Sequence, residues 1–199
     1  MIVAVILSAG ESSRMGSPKA LLRVDGQTFI ERIIGTLRQT AVDKTLVVLG
    51  RHADEIRAAI ACLPVDIVVN EDYKKGQLSS LQAAIRSLAG APVEAIIVHL
   101  VDHPFVKPEI VGEMVRRFRE SGKLIVVPTH RGRRGHPVLF SSRLFPELLA
   151  APLDLGAKPV VRAHRADMLE IETADAGVLI DIDTPEEYRR HVGGIDGEG

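Results

Sequence analysis

The stretch Ile2-Val3-Ala4-Val5-Ile6-Leu7-Ser8-Ala9-Gly10-Glu11-Ser12-Ser13-Arg14-Met15-Gly16-Ser17-Pro18-Lys19 decides how the rest of the chain is read. Ile2 to Leu7 is an apolar, β-branched run, as expected of a strand buried on both faces of a sheet. It breaks abruptly into small and polar residues. Ser8, Ala9 and Gly10 have little or no side chain, so a ligand can come close to the backbone, whose consecutive N–H groups can cradle an anion. Arg14 and Lys19 add two positive charges, one a planar fork and one a point charge. The stretch therefore predicts a central strand feeding a loop that holds nucleotide phosphates. A solvated Gly/Ser surface loop is the alternative.

Two widespread phosphate loops do not fit. Five residues separate Gly10 from Gly16, and the lysine follows three residues after Gly16, unlike Gly-x-x-x-x-Gly-Lys-Ser/Thr. The dinucleotide pattern Gly-x-Gly-x-x-Gly is also absent.

Composition narrows the class. A chain of 199 residues suits one α/β domain, expected over residues 1–192 with a disordered tail at 193–199. A net charge of −1 gives no bulk electrostatic case for nucleic acid or an anionic membrane. The lone cysteine, Cys62, excludes an internal disulfide framework and a cysteine-built zinc site. It is expected on the apolar side of a helix over 53–63, buried and inert. The apolar N-terminus lacks a basic leader and a cleavage site, and no run is long enough to span a bilayer, so a cytoplasmic setting is expected.

Along the chain, Asp25-Gly26 reads as a turn, and Thr28-x-x-Glu31 as a capping box opening a helix with Phe29, Ile30, Ile33, Ile34 and Leu37 inward. Strands are expected at 45–49, 65–69, 95–101, 124–127, 168–171 and 178–180, and helices at 53–63, from Pro108 to about Arg119, and at 141–150. This alternation predicts a three-layer, Rossmann-like α/β fold, a mostly parallel sheet with helices on both faces. Ser79-x-x-Gln82 matches a second capping box. Ser79 and Ser80 either cap that helix or stand where its N–H groups meet a ligand. Asp102 ends the strand before His103-Pro104, at the strand end where open α/β sheets bind ligands; capping a turn is its other role. Asp181 and Asp183 alternate on an extended stretch, so only one can share a metal with Asp102. Thr184-Pro185-x-Glu187 is a helix start. Residues 130–137 form a basic, glycine-rich loop without aromatic residues for stacking on nucleic acid.

Leu7-Ser8-Ala9-Gly10-x-Ser12-x-Arg14-Met15-Gly16 followed by Lys19 resembles the signature of nucleotidyltransferases of the molybdenum cofactor type, and within them is most similar to the molybdenum cofactor cytidylyltransferases. The resemblance continues to about Thr184. It implies that Leu7, Ser8, Ala9, Gly10, Ser12, Arg14 and Lys19 hold the triphosphate, with Arg14 and Lys19 acting in catalysis. It implies that Gly76, Ser79 and Ser80 contact base and ribose, and that Asp102 and Asp183 hold Mg²⁺. His103, Gly135, His136, Pro137 and Asp181 fall to the acceptor side, with a structural hydrogen bond as the alternative for Asp181. His103 stands where glutamine is frequent in the family. Leu153 and Lys158 depart from the family's Gly-Asp-x-Gly-Ala-Arg segment, which puts a forked contact at Lys158 in doubt.

Two carboxylates from separate strand ends, with water in the other positions, suit octahedral Mg²⁺. The expected reaction is attack of an acceptor oxygen on an α-phosphorus, releasing pyrophosphate. Residue chemistry reaches a nucleoside triphosphate and a phosphate-bearing acceptor. The resemblance adds CTP, a molybdenum-bearing pterin phosphate, and a molybdoenzyme or its chaperone as partner. Transfer of GMP to the same pterin, or of a nucleotide to a sugar or alcohol phosphate, is the alternative enzyme. A non-catalytic carrier for a molybdoenzyme is the alternative from another class.

Overall fold

Every residue of β1 (Ile2–Ser8) is buried, which is why the strand carries no polar face. In the computed structural model, which describes residues 1–12 and 14–192, it is an interior strand of the sheet; the expected tail at 193–199 lies outside those residues. The described strands are β1, β2 (Arg23–Val24), β3 (Gln27–Thr28), β4 (Lys44–Leu49), β5 (Asp66–Val69), β6 (Ala95–Leu100), β7 (Ile125–His130), β8 (Arg133–Arg134), β9 (Val138–Ser141) and β10 (Met168–Glu172). The α-helices are α1 (Phe29–Arg38), α2 (Ala53–Ala59), α3 (Gln77–Ser87), α4 (Pro108–Ser121), α5 (Phe145–Ala150), α6 (Lys158–Ala163) and α7 (Pro185–His191).

The main sheet runs β10-β7-β9-β6-β1-β4-β5, with β8 paired to β7. β1 lies parallel between β4 and β6. The chain thus leaves β1 toward one edge through β4 and β5, then returns to the other side of β1 as β6. The crevice beyond the carboxyl ends of β1 and β6 is where such sheets take ligands.

Alternation along β1 divides two cores. Ile2, Ala4 and Ile6 pack with α1 and α4 (Ile30, Ile33, Met114) on one face. Val3, Val5 and Leu7 pack with α3 and α5 (Leu81, Ile85, Leu148) on the other. These are the three expected layers. A smaller cluster gathers Val24, Phe29, Ile182 and Val192, fastening the C-terminal segment over the β2–β3 hairpin. That hairpin turns at Asp25 (φ 51°) and Gly26 (φ 77°), the pair of positive φ angles that a tight two-residue hairpin requires.

Several local expectations are corrected. Residues 138–141 form β9, antiparallel to β6 and β7, and the helix expected from Ser141 begins at Phe145 after a 3₁₀ turn capped by the Ser141 hydroxyl. Residues 176–179 form a 3₁₀ turn instead of opening a strand at 178–180, because Gly177 presses against the Phe105 carbonyl and donates to the Asp175 side chain. α2 ends at Ala59, ahead of Leu63-Pro64, so Cys62 lies beyond the helix and is exposed instead of buried. Ser79 is no N-cap. Gly76, with φ 101°, occupies that position, and Gln82 reaches across to the Leu148 carbonyl at 3.0 Å.

Candidate active site

Beyond Ser8 the chain closes a short loop on itself. Met15 N–H donates to the Ser12 carbonyl (3.0 Å), and Lys19 N–H donates to the Ser12 hydroxyl (3.2 Å). Ser12 (φ 51°) and Gly16 (φ 70°) supply the turns. Lys19 opens a 3₁₀ turn anchored by buried Ala20. A Cβ added to Gly10 would meet nothing within 4 Å, so the loop backbone faces open space there. Gly50, unremarked in the sequence, is tightly confined: a Cβ at this position would run into the Ala9 carbonyl.

The C-terminal segment completes the site. Ile182 is buried in the third cluster, and its N–H donates to the Asp102 carbonyl (2.9 Å). This clamp sets Asp183 beside Asp102. Glu187 holds Asp183 from behind by accepting from the N–H groups of Asp183 and Thr184, both at 2.8 Å. These bonds lower the Glu187 pKa, with the Asp183 N–H the largest cause. The Lys19 ammonium lies between the carboxylates, paired with Asp183 and 3.4 Å from Asp102. Arg14 adds an ion pair to Asp183 at 3.1 Å. The Lys19 hydrogen bond, ahead of other effects, lowers the Asp183 pKa. Asp181 is exposed, does not line the cavity these groups share, and lies near enough to His136 for its charge to act on that ring.

These groups line a cavity of ≈ 290 Å³. Of the residues expected on the nucleotide side, Leu7, Ser8, Ala9, Gly10, Ser12, Arg14, Lys19, Gly76 and Ser80 line it, together with Asp102 and Asp183. Ser79 does not, because its hydroxyl donates back to the Gly76 and Asp72 carbonyls. His52, Tyr73 and Gln77 also line the cavity and went unnoticed in the sequence. They come from loop and helix starts with no motif spacing of their own.

A second cavity of ≈ 530 Å³ adjoins the first and shares Leu7, Gln77 and Leu100 with it. Its wall is mainly apolar, with Arg134, His136, Lys158 and Arg162 among its basic residues. Gly135 also lines it and can only be glycine, because a Cβ would overlap the Val178 carbonyl. Pro137 is buried beside it. His103 lines neither cavity. It is buried behind Asp102, its ring 4.7 Å from that of His136 between centroids. Burial pushes the His103 pKa down to about 3 and also lowers that of His136, so both rings are neutral near pH 7.

The carboxylate pair suits a hard divalent cation. Both side chains reach one ammonium, so they converge on a single cation position. Asp102 Oδ1 is buried without a hydrogen-bond partner. Among the described residues no group of three or more His, Cys, Asp or Glu is placed to hold a metal. Mg²⁺ needs no such cage, since it is bound through one or two carboxylates plus substrate phosphates.

A family model described as the MobA-like NTP transferase domain matches residues 4–168. The chain belongs to this family. It is thus a MobA-like nucleotidyltransferase, on an α/β fold of that type. Purine catabolism protein PucB of Bacillus subtilis is 30% identical over 94% of each chain. Nicotine blue oxidoreductase of Paenarthrobacter nicotinovorans is 31% identical over 95% of each. The molybdenum cofactor cytidylyltransferase of Escherichia coli is 27% identical over 92% of each. Rv0371c of Mycobacterium tuberculosis, a solved structure, has a TM-score of 0.85 at 31% identity, covering 96% of this chain and 97% of its own. It has also been crystallised in complex with manganese. Asp183 lies beyond the span that the family model matches. Among the described residues, no helix of this MobA-like chain is long and apolar enough to cross a membrane.

Proposed function

We propose that this nucleotidyltransferase moves CMP from CTP to a phosphate-bearing acceptor of the molybdopterin type and releases pyrophosphate. The carrying observation is the convergence of a small-residue loop, Lys19, Asp102 and Asp183 on one cavity. The similarity to the E. coli cytidylyltransferase along nearly its whole length supports the choice of CTP and pterin. The manganese complex of Rv0371c supports a divalent cation at the carboxylates, with Mg²⁺ the proposed physiological ion. The adjoining cavity, with an apolar wall and basic groups, suits a flat acceptor bearing an anionic group.

In this scheme the backbone N–H groups from Ser8 to Gly10 orient the triphosphate. The acceptor phosphate is already ionised near neutral pH, so its oxygen attacks without a general base. This agrees with the placement of His103, which lines neither cavity. A P–O bond forms at the α-phosphorus as the bond to the bridging oxygen breaks, and the electron pair leaves with pyrophosphate. Lys19 and Arg14 turn from the carboxylates to the departing charge. A divalent cation, when bound at Asp102 and Asp183, supplies Lewis-acid polarisation of phosphate oxygens.

The test is pyrophosphate release with each nucleoside triphosphate, Mg²⁺ or Mn²⁺, and a pterin phosphate. Release that needs CTP and the pterin together is expected. Release driven by GTP, or by a sugar phosphate in place of the pterin, overturns this substrate assignment.

A further inference from the structure

Asn70 follows β5, is buried to 6% exposure, and is not among the residues that line the first cavity. Its hydrogen bonds determine which way its amide faces. The Asp72 N–H donates to Oδ1 at 3.0 Å, so the amide nitrogen faces the other way. That nitrogen donates to the Ser79 hydroxyl (2.9 Å) and the Ser80 hydroxyl (3.0 Å). Both amide hydrogens and the amide oxygen are thereby used.

The two serines then differ. Ser79 accepts from Asn70 and donates to the Gly76 (2.7 Å) and Asp72 (3.0 Å) carbonyls, so it is satisfied within the fold. Ser80 accepts from Asn70 in the same way, yet its own hydrogen has no acceptor among the described residues. Ser80 is 3% exposed and lines the first cavity. With Asn70 on one lone pair, the Ser80 hydrogen is turned away from the amide, and the open direction is the cavity.

We infer that Asn70 is a positioning residue that holds Ser80 as a hydrogen-bond donor toward an oxygen of the bound nucleoside, either a base carbonyl or a sugar hydroxyl. The inference rests on the assignment of this cavity to a nucleotide. Asn70→Asp reverses the polarity: a carboxylate only accepts, so the Ser80 hydroxyl turns inward and its donor is lost to the ligand. Ser80→Ala removes the donor outright. A buried ligand oxygen left unpaired weakens binding by about tenfold or more.

The experiment is calorimetric binding of CTP and 2′-deoxy-CTP, with Mg²⁺, to the wild type, Asn70→Asp, Ser80→Ala and the double variant. Each single variant is expected to bind CTP about tenfold or more weakly. The double variant is expected to bind no more weakly than Ser80→Ala. A loss caused merely by the new charge at position 70 would persist in the Ser80→Ala background and overturns the inference. Wild-type affinity in Ser80→Ala overturns it as well, whether or not Asn70→Asp folds. With a base carbonyl or the 3′-hydroxyl as acceptor, both nucleotides lose the same factor. With the 2′-hydroxyl, 2′-deoxy-CTP binds the wild type weakly and the variants no worse. A wild-type protein that binds no nucleoside triphosphate overturns the nucleotide assignment and this inference with it.

Discussion

The Lys19 ammonium is hydrogen-bonded to the Asp183 carboxylate, 164 residues away in sequence. It also lies 3.4 Å from Asp102, so it takes the place where a divalent cation would meet both carboxylates. An ammonium and a metal ion compete for that position until phosphates give the lysine another partner.

Replacing this lysine therefore has two opposite effects. In Lys19→Met, Mn²⁺ binding without nucleotide strengthens, because the competitor is gone and two carboxylates remain. Turnover falls ~100-fold, by analogy with loss of one preorganised charge-stabilising donor. Paramagnetic titration of Mn²⁺ and a pyrophosphate assay read the two effects separately.

Asp102 presents Oδ2 to the position that the Lys19 ammonium occupies, where a cation would meet it. Asp102→Ala is expected to abolish metal-dependent pyrophosphate release while the fold persists by circular dichroism. A fully active variant removes Asp102 from the metal site.

Asp183 depends on the cap of α7, where Thr184 and Glu187 bond reciprocally. Thr184→Ala is expected to cost about 1 kcal/mol of stability by urea denaturation. Turnover at saturating nucleotide is expected to fall further than that loss explains, because the cap also orients Asp183. Full activity in the destabilised variant limits the cap to a structural role.

His99 tests how stability varies with acidity. It faces the core from β6, donates Nδ1–H to the Leu100 carbonyl at 2.9 Å, and leaves Nε2 buried and unpartnered. Burial is the largest cause lowering its pKa from 6.5 to about 3. A depressed histidine pKa means the unfolded chain takes up the proton first, so stability falls as pH drops below 6.5 and levels off near 3. The loss from this ring is about 2 kcal/mol between pH 7 and 5. The lowered pKa of Asp183 acts in the same direction, but only below the ordinary aspartate value of 3.8. Urea midpoints at pH 7 and 5 are expected to differ clearly in the wild type and less so in His99→Leu, where the buried His103 and His136 still add to the difference.

Much of the fold was legible because its signals are local. The apolar run of β1, the capping boxes at Thr28 and Thr184, and the turn at Asp25-Gly26 each depend on neighbours a few residues away. Errors arose where a distant partner overrode such a signal. Ser79-x-x-Gln82 has the spacing of a capping box, yet Gln82 finds its partners on α5 and Gly76 takes the cap. The antiparallel β9 is a short strand whose role is set by two neighbours, β6 and β7, that no spacing identifies.

The amino-acid order alone established a parallel-sheet scaffold with a glycine-bearing loop after its first strand, since burial periodicity and turn chemistry are properties of short segments. It also singled out Asp102 at a strand end and left Asp181 or Asp183 as its companion, the family resemblance favouring Asp183. Tertiary structure decided which groups meet. Burial of Ile182 swings Asp183 onto Lys19, Asn70 divides two adjacent serines into one that is satisfied and one that is free to donate, and His103 is withdrawn behind Asp102. Those outcomes depend on packing and hydrogen bonding between segments far apart in the chain, and such contacts exist only once the layers have closed.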